Sequence, residues 1–311
     1  MIFRRSLLIS VVVLVTACEG ADRPASSDDA LRSESQTALV VASNYPLYFF
    51  AIRIAEGVDS APEIVLPEID GDPALWTPSA EQIQLLQSAD LVLLNGAGAE
   101  SWLNLTSIDR RRLVDTSANI ADRLIALVGS VQHQHGPEGE HSHQGTAFTT
   151  WLDPKLAVAQ AQVVTEALVR LVPENESRFR ENLARLDSEF IELDSQMEVA
   201  FERFDSHPVL FSHPVYQYLQ RRYQINGVSV HWEPDQAPTT SDWIELQQML
   251  SKRPASIMIW EDQPLPETEA RLAAAGIRSV PFRTVANKPI GGDYISEMRV
   301  NIKRLEEFTV D

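Results

Sequence analysis

With one cysteine in 311 residues, the chain has no partner for an internal disulfide and too few thiolates for a Cys-based zinc finger or a Cys-ligated cluster. Basic residues are also scarce: 26 Lys+Arg stand against 44 Asp+Glu, for a formal net charge of −18. A surface this acidic repels phosphate backbones, which argues against nucleic acid as a partner and in favour of cations. The N-terminal apolar run, Leu7 to Val15, falls short of the roughly 20 residues that a membrane-spanning helix needs. There is no Gly-x-Ser-x-Gly elbow, no His-Glu-x-x-His and no phosphate loop. Asn95-Gly96-Ala97-Gly98 lacks the third glycine of a dinucleotide fingerprint, and its glycines read as tight-turn residues. No nucleophile–base pair or cofactor motif is left, so the expectation is a binding protein and not an enzyme. The 44% hydrophobic content supports real cores, enough for one large or two ordinary domains.

The lone cysteine has a context. Arg4 and Arg5 form a short positive region, the apolar run follows, and Val15-Thr16-Ala17-Cys18 closes it with small residues. This is the pattern of a secretory signal. Its last four residues resemble a bacterial lipobox, which implies cleavage after residue 17 and a lipidated Cys18. The expected location is periplasmic or extracytoplasmic, with the membrane met only through that lipid. Residues 18–37 are small, polar and aperiodic, and read as a flexible tether.

From Ala38 onward, short apolar runs alternate with helical patterns. Ala38–Ser43, Glu63–Leu66 and Asp90–Asn95 read as buried parallel strands, with helices over Leu47–Glu56 and Ala80–Ser88. A helix at about Pro154–Val172 precedes a longer one, Glu176–Phe204. The longer helix carries Phe179, Leu183, Leu186, Phe190, Leu193, Met197, Phe201 and Phe204 at 3–4 spacing. The alternation then restarts, with strands near Val209–Phe211, Val228–His231, Ser256–Trp260 and Arg278–Pro281. Helices fall near Val215–Tyr223, Asp242–Ser251, Pro266–Ala275 and Tyr294–Glu307. The expected fold class is α/β: two lobes with mainly parallel sheets, residues 38–175 and 205–311, joined by a long rigid helix over 176–204.

The densest chemical signal is the segment HQHGPEGEHSH. Four of the seven histidines, His133, His135, His141 and His143, fall in residues 133–143, around a Gly-Pro pair that opposes helix. In extended chain, residues i and i+2 share a side, so each His-x-His pair can offer two imidazoles to one ion. Neutral imidazole suits Zn(II), Cu(II) and Ni(II), and affinity falls as pH drops through the imidazole pKa near 6.5.

Several stretches together resemble the zinc- and manganese-binding solute-binding lipoproteins of bacterial ABC transporters. They are VVASNYPLYFFAIRIAEG, TPSAEQIQLLQSADLVLLNGAGAESWL, TTWLDPKLA, FSHPVYQYLQRRY and ASIMIWEDQP, and the likeness runs from about Val40 to Glu307. It implies two α/β lobes, a rigid connecting helix, an interlobe metal site and a His-rich loop ahead of Trp151-Leu152-Asp153-Pro154. It also implies a monomer that docks on an ABC permease, with Zn2+ as the cargo ahead of Mn2+ or another divalent ion. Of the family's four usual ligands only the third is matched, by His213. Ala74 stands in the element that usually supplies the first, Thr149 replaces the second, and no acid lies near Phe282-Arg283-Thr284 for the fourth. The interlobe site is therefore lost or rebuilt. Glu261, at a strand's C-terminal end, is the first candidate to join His213, and Asp70, Asp72, His231 and Glu233 are the others. Two alternatives remain: a periplasmic metal chaperone or buffer using the His-rich loop alone, and a cleft that holds a small organic or metal-chelate ligand against Trp76, Trp102 and Trp232.

Overall fold

In a computed structural model, the described residues are 37–69, 71–127, 131–134, 140–143, 145–204 and 207–308, with backbone alone at 131–134 and 140–143. Cys18, the tether up to residue 36, Asp70 and His135 lie outside them. The Val/Leu runs Leu39–Ala42 and Leu91–Leu94 are buried on both faces, as central parallel strands are. β1 (Leu39–Ala42), β2 (Glu63–Val65), β3 (Leu91–Leu94) and β4 (Leu113–Asp115) form one wholly parallel sheet in the order β2-β1-β3-β4. Helices α1 (Tyr45–Ile54) and α2 (Ala80–Ser88) make its crossovers. Asn44 caps the first by accepting from Leu47 N at 3.1 Å, and a Ser79/Gln82 capping box opens the second. Gly96 and Gly98, after β3, adopt φ of +75° and +81°, as tight-turn residues should.

β5 (Val131–Gln134) and β6 (Glu140–His143) form a separate antiparallel pair. α3 (Pro154–Leu171) and the 27-residue α4 (Glu176–Glu202) follow. The second sheet contains β7 (Val209–Phe211), β8 (Gly227–Ser229), β9 (Ile257–Trp260) and β10 (Arg278–Pro281) in the order β10-β9-β7-β8, again all parallel. Its helices are α5 (Gln217–Arg222), α6 (Thr240–Lys252), α7 (Pro266–Ala274) and α8 (Tyr294–Glu306). Among the described residues no helix is long and apolar enough to cross a membrane.

The stripe on α4 decides how the lobes are joined. Phe179, Leu186, Phe190, Leu193, Met197, Phe201 and Phe204 are all buried, in one core cluster that also holds Val40 and Leu93 of the first sheet and Phe211 and Ile259 of the second. Tyr294 of α8 stacks on Phe49 of α1 at 5.5 Å and lies 5.5 Å from Phe190. One continuous core, not a hinge, connects the two sheets. Each lobe keeps a smaller core of its own. Trp76 and Trp102 pack edge to face at 5.4 Å in the first, and Trp232, Trp243 and Trp260 cluster in the second. Trp76, Trp102 and Trp232 therefore do not wall the cleft. This corrects the expectation that a ligand would lie against them.

Candidate metal site

In both sheets the chain leaves the first strand to one side and returns on the other, so the order reverses between β1 and β3 and between β7 and β9. Parallel sheets bind ligands outside the strand C-termini at such reversals. In the second sheet, His213 follows β7 and Glu261 follows β9, which places the two side chains together at that point. A cleft of about 700 Å³ opens there, with Asp72, Phe148, Thr149, Glu233 and Arg283 also in its walls.

His213 is 7% exposed, and its two nitrogens face different groups. Nδ1 lies 2.7 Å from Glu261 Oε1. A carboxylate only accepts, so Nδ1 carries a proton, and in the neutral ring Nε2 is the nitrogen with the lone pair. Nε2 lies 3.8 Å from Glu233 Oε1. Zinc bonds of about 2.0–2.2 Å place two ligands of a tetrahedron roughly 3.3–3.5 Å apart. The Nε2–Glu233 pair is thus a few tenths of an ångström wide of a shared ion, whereas the Nδ1–Glu261 pair is too close to hold one. Glu261 occupies the ring edge opposite Nε2, the place of a group that orients a metal-binding imidazole. Burial alone would lower the His213 pKa. The hydrogen bond that Nδ1–H donates to Glu261 and the charges of Glu261, Glu233 and Asp72 outweigh it, and the net shift is upward. The ring of His231 stands 6.2 Å from that of His213, nearly perpendicular to it, with its pKa lowered by burial and by the charge of His213.

Asp72 comes from the first lobe. It caps the short helical turn Pro73–Leu75 by accepting from Ala74 N at 2.9 Å, and it lines the cleft opposite His213. Thr149, where the family resemblance expects an imidazole, is buried, and its hydroxyl donates to the carbonyl of Val215 across the lobes. The segment after β10 carries Arg283, bound by Asp262 at 2.9 Å and by Glu297 at 3.2 Å. The same segment crosses to the first lobe. Trp151 Nε1 donates to Thr284 O at 2.7 Å, Tyr45 N to Ala286 O at 3.1 Å, and Asn287 Nδ2 to Gly71 O. Between these ties Val285 sits at φ +58°, a left-handed conformation that a β-branched residue keeps only where its surroundings impose it.

The His-rich segment forms the β5–β6 ladder. In its register His133 pairs with His141 and Val131 with His143. Among the described side chains, His213, Glu233, Glu261 and Asp72 line the cleft, and His231 stands beside His213. Sequence reasoning missed the clasp made by Thr149 and the ties made by residues 283–287. No local pattern marks a hydroxyl or an amide whose partner lies far along the chain.

The chain matches the family described as zinc-uptake complex component A, periplasmic (ZnuA), over residues 40–308. It belongs to that family. The family likeness is broad in extent and low in identity. The chain is 25% identical to the zinc-binding lipoprotein AdcA of Streptococcus pneumoniae (strain ATCC BAA-255 / R6) over 282 residues, which is 87% of this chain and 55% of the relative. The chain thus spans about half the length of that relative. It is 22% identical to the high-affinity zinc uptake system protein ZnuA of Bacillus subtilis (strain 168) over 310 residues, 97% of this chain and 95% of that one. The crystal structure of Zn(II)-bound AdcA from Streptococcus pneumoniae superposes with a TM-score of 0.72 at 19% identity, covering 88% of this chain and 57% of that chain. That likeness shows the ZnuA fold: two parallel-sheet lobes and a long helix.

Proposed function

We propose that this protein is an extracytoplasmic solute-binding lipoprotein that takes up zinc in the interlobe cleft and delivers it to an ABC importer by docking on the permease. The observation that carries the reading is His213. Its Nδ1 is held by Glu261 at 2.7 Å at a sheet's reversal point, so that Nε2 is turned to a cleft edged by Glu233 and Asp72. Family membership and the zinc named for AdcA and ZnuA support the same cargo. In this reading His213 and Glu233 are ligands, Glu261 orients His213, and Asp72 and His231 stand close enough to adjust the site. His133, His135, His141 and His143 capture zinc ahead of the cleft, and Cys18 carries the lipid. The activity is binding, with no covalent step.

The test is calorimetric titration of the untagged chain from residue 19 beside a variant lacking residues 132–144. Retention of one tight zinc site in the deletion variant, lost on His213→Ala, is the expected result. Loss of all binding on deletion would leave the His-rich segment as the whole metal site and favour a chaperone or buffer.

A further inference from the structure

Three arginines in a row, Arg110, Arg111 and Arg112, form the longest basic run in a chain whose net charge is −18. All three residues are exposed, and they lead into β4, the edge strand of the first sheet. The strand register fixes where they stand. Val92 of β3 pairs with Val41 of β1 and with Leu113 of β4, so Thr37 and Arg110–Arg112 lie at the same, N-terminal end of the sheet. Two strand spacings of about 4.8 Å put them roughly 10 Å apart. Both are tied to the turn between α2 and β3. Arg112 Nη1 donates to the carbonyls of Gln87 and Ala89 at 3.0 and 3.1 Å, and Leu39 N donates to Asp90 Oδ2 at 2.8 Å. The point where the chain from Cys18 enters the folded body is therefore beside the arginines.

Apolar surface accompanies the charge. Leu105 is 70% exposed, and two residues later the carbonyl of Ser107 accepts from Gln87 Nε2 at 3.2 Å, at the same end of α2. Nearby acids do not cancel the run. Asp109 is paired with Arg111 at 2.6 Å, so residues 109–112 keep a net charge of +2, and Asp90 faces β1. Glu56, Asp59 and Glu63 gather beside β2, at the other edge of the sheet, three strand spacings or about 14 Å from β4. That exceeds the Debye length of about 8 Å at physiological salt, so the two edges meet a charged surface separately. The cleft, with Asp72 in its wall, belongs to the opposite end of the sheet, outside the strand C-termini.

Resting on the lipoprotein part of the reading above, we propose that Arg110–Arg112 and Leu105 form a docking surface for anionic lipid headgroups, on which the tethered body rests with its cleft open to the medium. A lipid and a basic patch are complementary anchors. The lipid on Cys18 holds the chain near the membrane, and the patch sets which face meets it. Fully extended, the chain from Cys18 to Thr37 reaches about 65 Å, so the lipid alone does not fix that face. A short tether supplies an effective concentration in the roughly millimolar range, at which weak surface contacts suffice. Two net positive charges against an anionic leaflet favour the docked face about thirtyfold.

The test couples the chain from residue 18, through its single cysteine, to a maleimide-bearing lipid in vesicles of phosphatidylcholine, alone or mixed with phosphatidylglycerol. Hydrogen exchange over residues 105–112 is the readout. The expected result is exchange slowed about tenfold on the anionic vesicles relative to the neutral ones, with the difference lost in 1 M salt, where the Debye length is about 3 Å. Arg110→Glu combined with Arg111→Glu should abolish the protection, with Arg112 left in place because it holds the end of α2. Unchanged exchange in the rest of the chain reports an intact fold. Arg110→Gln combined with Arg111→Gln is the milder variant, and it should lose most of the protection. Equal exchange on the two kinds of vesicle, or protection that survives charge reversal, would overturn the inference and leave the lipoprotein reading standing. That reading is checked separately, by the mass of the chain extracted from its own membranes. An unmodified Cys18 there would overturn it, and the inference with it.

Discussion

Glu261→Ala is the perturbation that separates an orienting group from a ligand. The carboxylate holds Nδ1–H at 2.7 Å and fixes both the tautomer and the ring plane of a nearly buried imidazole. Removing such a partner costs about 10–100-fold in metal affinity, or roughly 1.4–2.8 kcal/mol. Glu261→Gln keeps an acceptor oxygen for Nδ1–H and loses only the charge, so its loss should lie near the lower end of that range. Both variants belong in the background lacking residues 132–144, where the His-rich segment cannot supply sites that hide the change. Competition with a chromophoric chelator reads the affinity, and calorimetry reads the stoichiometry. The expected order is wild type, then Glu261→Gln, then Glu261→Ala, each binding one zinc. An alanine variant within twofold of wild type would refute the orienting role. Loss of the site as complete as in His213→Ala would instead make Glu261 a ligand.

Other consequences follow from the same geometry. Thr149→Val keeps the shape and removes the donor to the Val215 carbonyl, so a loss of about 1–3 kcal/mol should appear in urea unfolding. Phe190→Ala empties a site packed against Phe50 and Tyr294. It should cost about 3–5 kcal/mol while leaving one cooperative transition in calorimetry, because both sheets share that core. The enclosed carboxyl of Glu100 is pushed up to about 7 by burial, against hydrogen bonds from the Ser43 hydroxyl and from Asn95 and Gly96 N–H. Its folded pKa is above the unfolded value near 4.3, so the fold favours the protonated form. The stability it contributes is full below that value and is lost as pH rises through about 7, by something on the order of 1–3 kcal/mol. Urea melts across pH 5–8 should show the decline, and Glu100→Gln should flatten it.

Much of the fold was legible because the burial patterns are simple. β1, β3 and β9 are continuous apolar runs, and the stripe on α4 keeps one spacing from Phe179 to Phe204. β4 was not foreseen. It has three residues, none fully buried, directly after Arg110–Arg112, and its place is set by pairing with β3. Val215–Tyr223 reads as a helix from its spacing, yet α5 runs only from Gln217 to Arg222, after the turn that lets Val215 meet Thr149. At the site, His213 was legible from Phe211-Ser212-His213 and the strand before it. Spacing could name Glu261 as a neighbour but could not say which ring nitrogen it faces, and that choice changes its role. The part taken by Arg283 was hidden for a similar reason, since its partners, Asp262 and Glu297, belong to other elements.

The shared seam along α4 has a consequence for traffic between this protein and anything that receives its cargo. A vessel whose halves are welded behaves as a mould, and its filled and empty outlines should nearly coincide. A receiver that must tell the two apart cannot measure a change of silhouette. It must read the rim, where Asp72, Glu233 and the strap after β10 lie against the opening. The work of emptying the mould then falls on whatever competes for the ion at that rim while the walls stay where they are.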